Sequence, residues 1–274
     1  FTLEMNPATV SLEKAKALLG LGVNRVSMGV QSWDEGLLKT LGRVHSGSQA
    51  RRSYEILREA GVPNVNLDLI FGIPGQDRGQ WIDSLRQTLA LNPDHISAYC
   101  LTYEEDTEYF ERFRRGELVP ETEKDADFFE LAMDTLEQAG YQQYEISNYA
   151  KPGRECLHNL GYWRASDYAG FGPSAVSTRS GWRRKNPADT EAYTRQVLNG
   201  GDRFETLERL DDDTLRLERL SLGLRTREGI EATLIPVTQL RNLESHGLAD
   251  VSNGRVALSR QGRLLADQIA AEIA

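Results

Sequence analysis

The stretch NVNLDLIFGIPG, Asn64 to Gly75, reads as a buried strand running into a Gly-Pro-Gly turn, with one carboxylate among its apolar residues. Alternation places Val65, Leu67, Leu69 and Phe71 on one face and Asn66, Asp68 and Ile70 on the other. A lone buried carboxylate is costly unless it is paired or bound, so Asp68 points to a lined cavity. Two earlier stretches carry the same code. In RVSMGVQ, Arg25 to Gln31, the apolar Val26, Met28 and Val30 alternate with Arg25, Ser27, Gly29 and Gln31; in TLEMN, Thr2 to Asn6, Leu3 and Met5 alternate with Thr2, Glu4 and Asn6. Helical patterns at Ser11 to Leu21 and Ser48 to Ala60 separate the three, and that order predicts successive parallel strands. In a closed or nearly closed barrel the apolar faces meet the helices, and polar groups near the strand C-termini form the working face. Glu4, Gln31 and Asp68 are thereby expected to converge.

Local signals extend the pattern. Ser11 is placed to cap the first helix, and a short helix from Asp34 to Leu41 leads to Gly42 and Arg43. Arg43 either reaches an anion near the end of a strand or caps the preceding helix. Gly72, Pro74 and Gly75 match neither phosphate-loop spacing, so a rigid turn into the helix Asp77 to Leu91 is the preferred reading. Asn92 to Tyr103 reads as a further strand with less regular parity, followed by a charged insertion, Glu104 to Lys124, and a helix from Ala126 to Ala139. From Tyr141 to Ser177 the chain is dense in aromatics and glycine, the composition of a pocket lining or irregular cap. Within it His158 is followed one helical turn later by Tyr162 and then Trp163. That trio suits a planar macrocycle, with a structural hydrogen bond from His158 as the alternative. Asp189 to Leu198 is helical, and Asp211 to Ala274 reads as helix, helix, a strand pair turning at Asn253-Gly254, and a closing helix, like a small winged helix.

The 274 residues suffice for one large or two modest domains. A net charge of -9 argues against a nucleic-acid surface, since phosphate binding needs clustered Lys and Arg. The basic runs Arg112 to Arg115 and Arg183 to Lys185 read as solvated faces. No apolar run approaches the roughly 18 residues that cross a bilayer. Cys100 and Cys156 make no disulfide framework and fit a cytoplasmic location. The chain opens on Phe1 inside a strand pattern, which reads as a piece of a longer protein.

Five motifs in order, LEMNP (Leu3 to Pro7), GVNRVSMGVQSW (Gly22 to Trp33), LGRVH (Leu41 to His45), NVNLDLIFGIPGQ (Asn64 to Gln76) and LNPDHISAYCLTYE (Leu91 to Glu104), resemble the coproporphyrinogen oxidase-like radical S-adenosylmethionine (SAM) family. The family has an oxygen-independent oxidase branch, HemN, and a haem-chaperone branch, HemW. YEISNYAKPGRECLHNLGYW, Tyr144 to Trp163, and GFGPSA, Gly170 to Ala175, look like the chaperone branch; the oxidase's Arg-Asn-Phe-Gln-Gly-Tyr run is not present. Val176 departs from the family, where relatives often carry histidine.

The resemblance implies an α/β fold, a partial TIM-like (β/α)6 barrel here lacking its first two strands, followed by a small α+β winged-helix-like domain. The expected division is barrel and aromatic cap over 1–188 and terminal domain over 189–274. It also implies that Glu4 meets the SAM ammonium, Arg43 its carboxylate, Gln31 and Asp68 its ribose hydroxyls, and Thr102 lies close to the adenine. Acids suit an amine and a diol, and a guanidinium fork suits a carboxylate. The ligands of the family's [4Fe-4S] cluster would precede Phe1, so no residue of this chain is expected to bind metal. Haem or porphyrin is the implied cargo, His158 the candidate ligand, and haem-acceptor proteins such as respiratory enzymes the implied partners. Two other readings stand beside the chaperone: a radical decarboxylase of coproporphyrinogen III propionates, and a hydrolase using Glu4 and Asp68 as an acid/base pair.

Overall fold

The computed structural model describes residues 1–105, 107–200 and 204–273, which divide into two compact units, Phe1–Glu155 and Cys156–Ala274. The boundary at 188 expected from sequence falls inside the second unit, and the aromatic stretch from Tyr141 to Ser177 is shared between the two.

The first unit is built on a six-stranded sheet of order β1-β2-β3-β4-β6-β5. Its elements run β1 (Thr2–Met5), α1 (Leu12–Gly20), β2 (Arg25–Gln31), α2 (Glu35–Thr40), α3 (Gly47–Glu59), β3 (Val65–Phe71), α4 (Arg78–Leu91), β4 (His95–Cys100), α5 (Glu108–Arg114), α6 (Thr122–Gln138), β5 (Gln142–Gln143) and β6 (Asn148–Ala150). β1 to β4 are parallel, as the strand-helix order predicts, while β6 pairs antiparallel with β4. Side-chain caps set the helix starts: Ser11 accepts from Lys14 N, Asp34 from Leu37 N, and Ser46 and Asp77 form capping boxes with Gln49 and Gln80.

The apolar faces of the parallel strands, with Val26, Met28 and Val30 of β2 and Val65, Leu67, Leu69 and Phe71 of β3, are buried. Trp81 of α4 lies against Phe71 at 5.4 Å between ring centres and donates its indole N–H to Phe128 O. Register then puts Glu4, Ser27, Asn66 and His95 in one row of the opposite face, with Gly29, Asp68 and Ser97 in the next. β4 is where alternation fails as a guide, because His95, Ile96, Ser97 and Ala98 are all buried.

The second unit contains α7 (Leu157–Trp163), β7 (Val176–Arg179), β8 (Trp182–Lys185), α8 (Thr190–Leu198), β9 (Thr206–Arg209), α9 (Asp212–Leu224), β10 (Ile230–Glu231), α10 (Val237–Ser245), β11 (Ala249–Ser252), β12 (Arg255–Leu258), α11 (Arg260–Leu264) and α12 (Ala266–Ile273). β7-β8-β9 form one antiparallel sheet and β10-β12-β11 another. The β11-β12 hairpin turns at Asn253 and Gly254, whose φ values of 51° and 73° are those of a tight hairpin turn. No helix among the described residues is long and apolar enough to cross a membrane.

Candidate functional site

The polar face of the parallel sheet carries three of the residues singled out in the sequence, Glu4, Gln31 and Asp68. Glu4 stands exposed on the edge strand β1, opposite Ser27 in register. Asp68 sits midway along β3, opposite Gly29 of β2. Past Gly29 the register shifts, and Gln31 takes a left-handed backbone, φ 67°. Its side chain turns back over Gly29: a Cβ at that glycine would stand 2.7 Å from Gln31 Nε2. The bare glycine thus admits the Gln31 amide to the row occupied by Asp68.

Three contacts pin this exit from β2. Trp33 donates its indole N–H to Thr88 Oγ1 at 2.8 Å, His45 Nε2 donates to Val30 O at 3.0 Å, and Gly47 packs where a Cβ would meet Trp33 O at 2.9 Å. Arg43 lies in the α2–α3 loop, exposed, and its guanidinium has no hydrogen bond or ion pair among the described residues. Its backbone N–H closes the preceding helix on Leu38 O, leaving the side chain available.

Thr102 follows β4 and donates to Glu104 at 2.9 Å. It lines a cleft of about 390 Å³ with Gly72, Pro74, Leu101, Lys124 and Asp125. The Gly72–Gly75 turn is closed on itself, with Gln76 N donating to Ile73 O and Ile73 N to the Gln76 side chain, so these donors are occupied. This favours the rigid-turn reading.

Beneath Asp68 is a polar cluster. Asn66 Nδ2 donates to Asp68 Oδ1 at 2.6 Å and to Ser27 Oγ at 2.7 Å, and Ser27 donates to Asp68 Oδ2 at 3.2 Å. Asn66 Oδ1 accepts from His95 Nδ1 at 2.6 Å and from Ser97 at 3.2 Å; His95 Nε2 accepts from the Tyr144 hydroxyl at 2.8 Å. Burial raises the Asp68 carboxyl above its ordinary range, opposed by hydrogen bonds from Ser97, Asn66 and Ser27 and by the Arg25 charge. Burial also pushes His95 well below an ordinary histidine, with Arg25 adding to it, so its ring is neutral. Alternation had placed Asn66 beside Asp68, but nothing local signalled His95 or Tyr144.

In the second unit, His158 lies exposed on α7, edge-on to Tyr162 at 4.7 Å, and Tyr162 meets Tyr168 edge-on at 4.7 Å. Of the four histidines, His45, His95 and His246 hydrogen-bond, whereas the His158 ring has no hydrogen-bond partner among the described residues. Tyr162 and Tyr168 line a cleft of about 610 Å³ with Leu215, Leu222 and the Arg183–Glu218 pair, which is bidentate at 2.6 and 2.9 Å. Cys100 is exposed and Cys156 buried, and no group of three or more His, Cys, Asp or Glu among the described residues is placed to hold a metal ion.

The family model described as the radical SAM superfamily matches residues 1–88. The heme chaperone HemW of Bacillus subtilis (strain 168) is 35% identical over 98% of this chain and 74% of its own length. HemW of Mycobacterium tuberculosis (strain H37Rv) is 35% identical over 97% of this chain and 69% of its own, and that of Escherichia coli (strain K12) is 44% identical over 64% and 45%. Among solved structures, the coproporphyrinogen III oxidase HemN from Escherichia coli, described as a radical SAM enzyme, superposes with a TM-score of 0.81 at 22% identity, covering 98% of this chain and 68% of that one. At that identity the likeness is one of fold.

Proposed function

The chain belongs to the HemW family of radical SAM proteins, and from that premise we propose that it is the SAM- and haem-binding portion of a haem chaperone that passes haem to acceptor proteins such as respiratory enzymes. The polar sheet face fits SAM chemically. Glu4 offers a carboxylate to the methionyl ammonium and Arg43 a guanidinium to the carboxylate, each without a hydrogen bond or ion pair among the described residues. Gln31 and Asp68, neighbours across β2 and β3, suit the ribose diol, and Thr102 in its cleft suits the adenine side. The two cysteines do not fit a [4Fe-4S] cluster, which is held by clustered thiolates: Cys156 is buried, and no group of three or more His, Cys, Asp or Glu among the described residues is placed to hold a metal ion. Scarce cysteine is in keeping with the reducing cytoplasm.

The observation that carries the haem part is His158, whose ring is exposed, unbonded and flanked by Tyr162. An exposed imidazole in that setting is placed to ligate iron while an aromatic edge borders the macrocycle. The test is titration of haem into the full-length protein and its His158→Ala variant, followed at the Soret band. The expected result is a shifted band and weaker binding in the variant. Identical spectra and affinities remove His158 as ligand, and anaerobic decarboxylation of coproporphyrinogen III by the same protein assigns it to the oxidase branch instead.

A further inference from the structure

We infer that Asn66, His95 and Tyr144 are positioning residues that aim the Asp68 carboxylate at a vicinal diol, through a hydrogen-bond chain in which every proton points toward Asp68. This rests on the reading that Asp68 meets the ribose hydroxyls of SAM.

The direction of the chain follows from what each group can donate. An ionised carboxylate only accepts, so the amide nitrogen of Asn66, and not its oxygen, faces Asp68 Oδ1 at 2.6 Å. That choice turns Asn66 Oδ1 toward His95, 2.6 Å away, where Nδ1 must carry the hydrogen. His95 is neutral, so Nε2 is bare and takes the Tyr144 hydroxyl proton at 2.8 Å. Ser97 donates into the same amide oxygen, and Ser27, accepting from Asn66, passes a second donor to Asp68 Oδ2. Asp68 thus has a donor on each oxygen from below, which fixes its plane and leaves the lone pairs on the open side for two adjacent hydroxyls. Were His95 to carry its hydrogen on Nε2 instead, two acceptors would face each other across 2.6 Å. The amide would then turn and set its oxygen against the carboxylate.

The cluster is buried: Asn66 is 1% exposed, Ser97 2% and His95 0%. Arg25, the charged neighbour below, is 9% exposed with its Nε unpartnered, and its charge disfavours a second proton on His95 while favouring ionised Asp68. The chain joins β3, β4 and the segment before β6, so it ties the aim of Asp68 to the closing of the sheet rather than to its own strand.

The experiment uses the full-length protein with S-adenosylhomocysteine and its 2′-deoxy counterpart as probes, affinities read by calorimetry. Wild type is expected to favour the ribose probe by about tenfold or more, the worth of one charge-assisted hydrogen bond. Asn66→Leu should abolish that preference while leaving the deoxy probe bound as before. His95→Leu should lose it too, and His95→Asn, whose amide can still donate to Asn66, should restore most of it. Selective ¹⁵N labelling of wild-type histidines should show His95 as the neutral Nδ1–H tautomer, a readout that needs no variant to fold. A ribose preference intact in Asn66→Leu, or His95 found as Nε2–H, overturns the inference alone. No preference in wild type overturns it together with the Asp68 ribose reading.

Discussion

Replacing Thr88 by valine isolates one buried hydrogen bond that holds the end of β2. Thr88 is fully buried on α4, and its hydroxyl accepts the indole N–H of Trp33, itself 7% exposed, at 2.8 Å. Valine keeps the shape and removes the acceptor, stranding a buried N–H. Such an orphan costs about 1–3 kcal/mol, which for a chain of this size corresponds to roughly 2–4 °C of melting temperature per kcal/mol. Trp33 lies two residues past Gln31, so the same change should let the Gln31 turn drift and weaken adenosyl-ligand binding in the full-length protein. Urea denaturation followed by near-UV circular dichroism gives the stability change. The decisive measurement repeats it in a Trp33→Phe background, where no N–H remains to strand and Thr88→Val should cost less than about 0.5 kcal/mol. An equal cost in both backgrounds would refute the hydrogen-bond account and assign the loss to packing around Thr88.

Two further outcomes are expected. Because burial raises the Asp68 carboxyl above its unfolded value, its contribution to stability is complete below about pH 3.9 and is lost as pH rises through the folded-state value. Asp68→Asn should therefore be more stable than wild type at neutral pH, with the difference fading on acidification; denaturation midpoints that differ equally at about pH 4 and about pH 8 would contradict this. With its thiol pushed up to about 12, Cys100 should alkylate with iodoacetamide at about pH 8 at least about tenfold more slowly than an unperturbed cysteine, the smaller thiolate fraction outweighing the greater nucleophilicity of a more basic thiolate, and rapid labelling in the folded protein would contradict that.

Alternation within β1, β2 and β3 was enough to put Glu4, Ser27, Asn66 and Asp68 on one face, because β2 and β3 bury one side and leave the other polar, whereas Gln31 reaches that face only through the register shift after Gly29 and its left-handed backbone. Short-range chemistry likewise marked Ser11 as a cap and Asn253-Gly254 as a hairpin turn, since these bonds close within three residues, and the helix starts expected at Asp34, Asp77 and Asp189 are side-chain caps of the same kind. β5 and β6, two and three residues long, are too short to show a period and fall in the stretch whose composition suggests a pocket lining or irregular cap. β4 carried no usable parity because its first four residues are all buried. The tertiary structure alone brought His95 to Asn66 and Tyr144 to His95, across 29 and 49 residues of chain. A hydrogen bond between distant segments leaves no periodic mark in either one, so what surrounds Asp68 is decided by how the sheet closes.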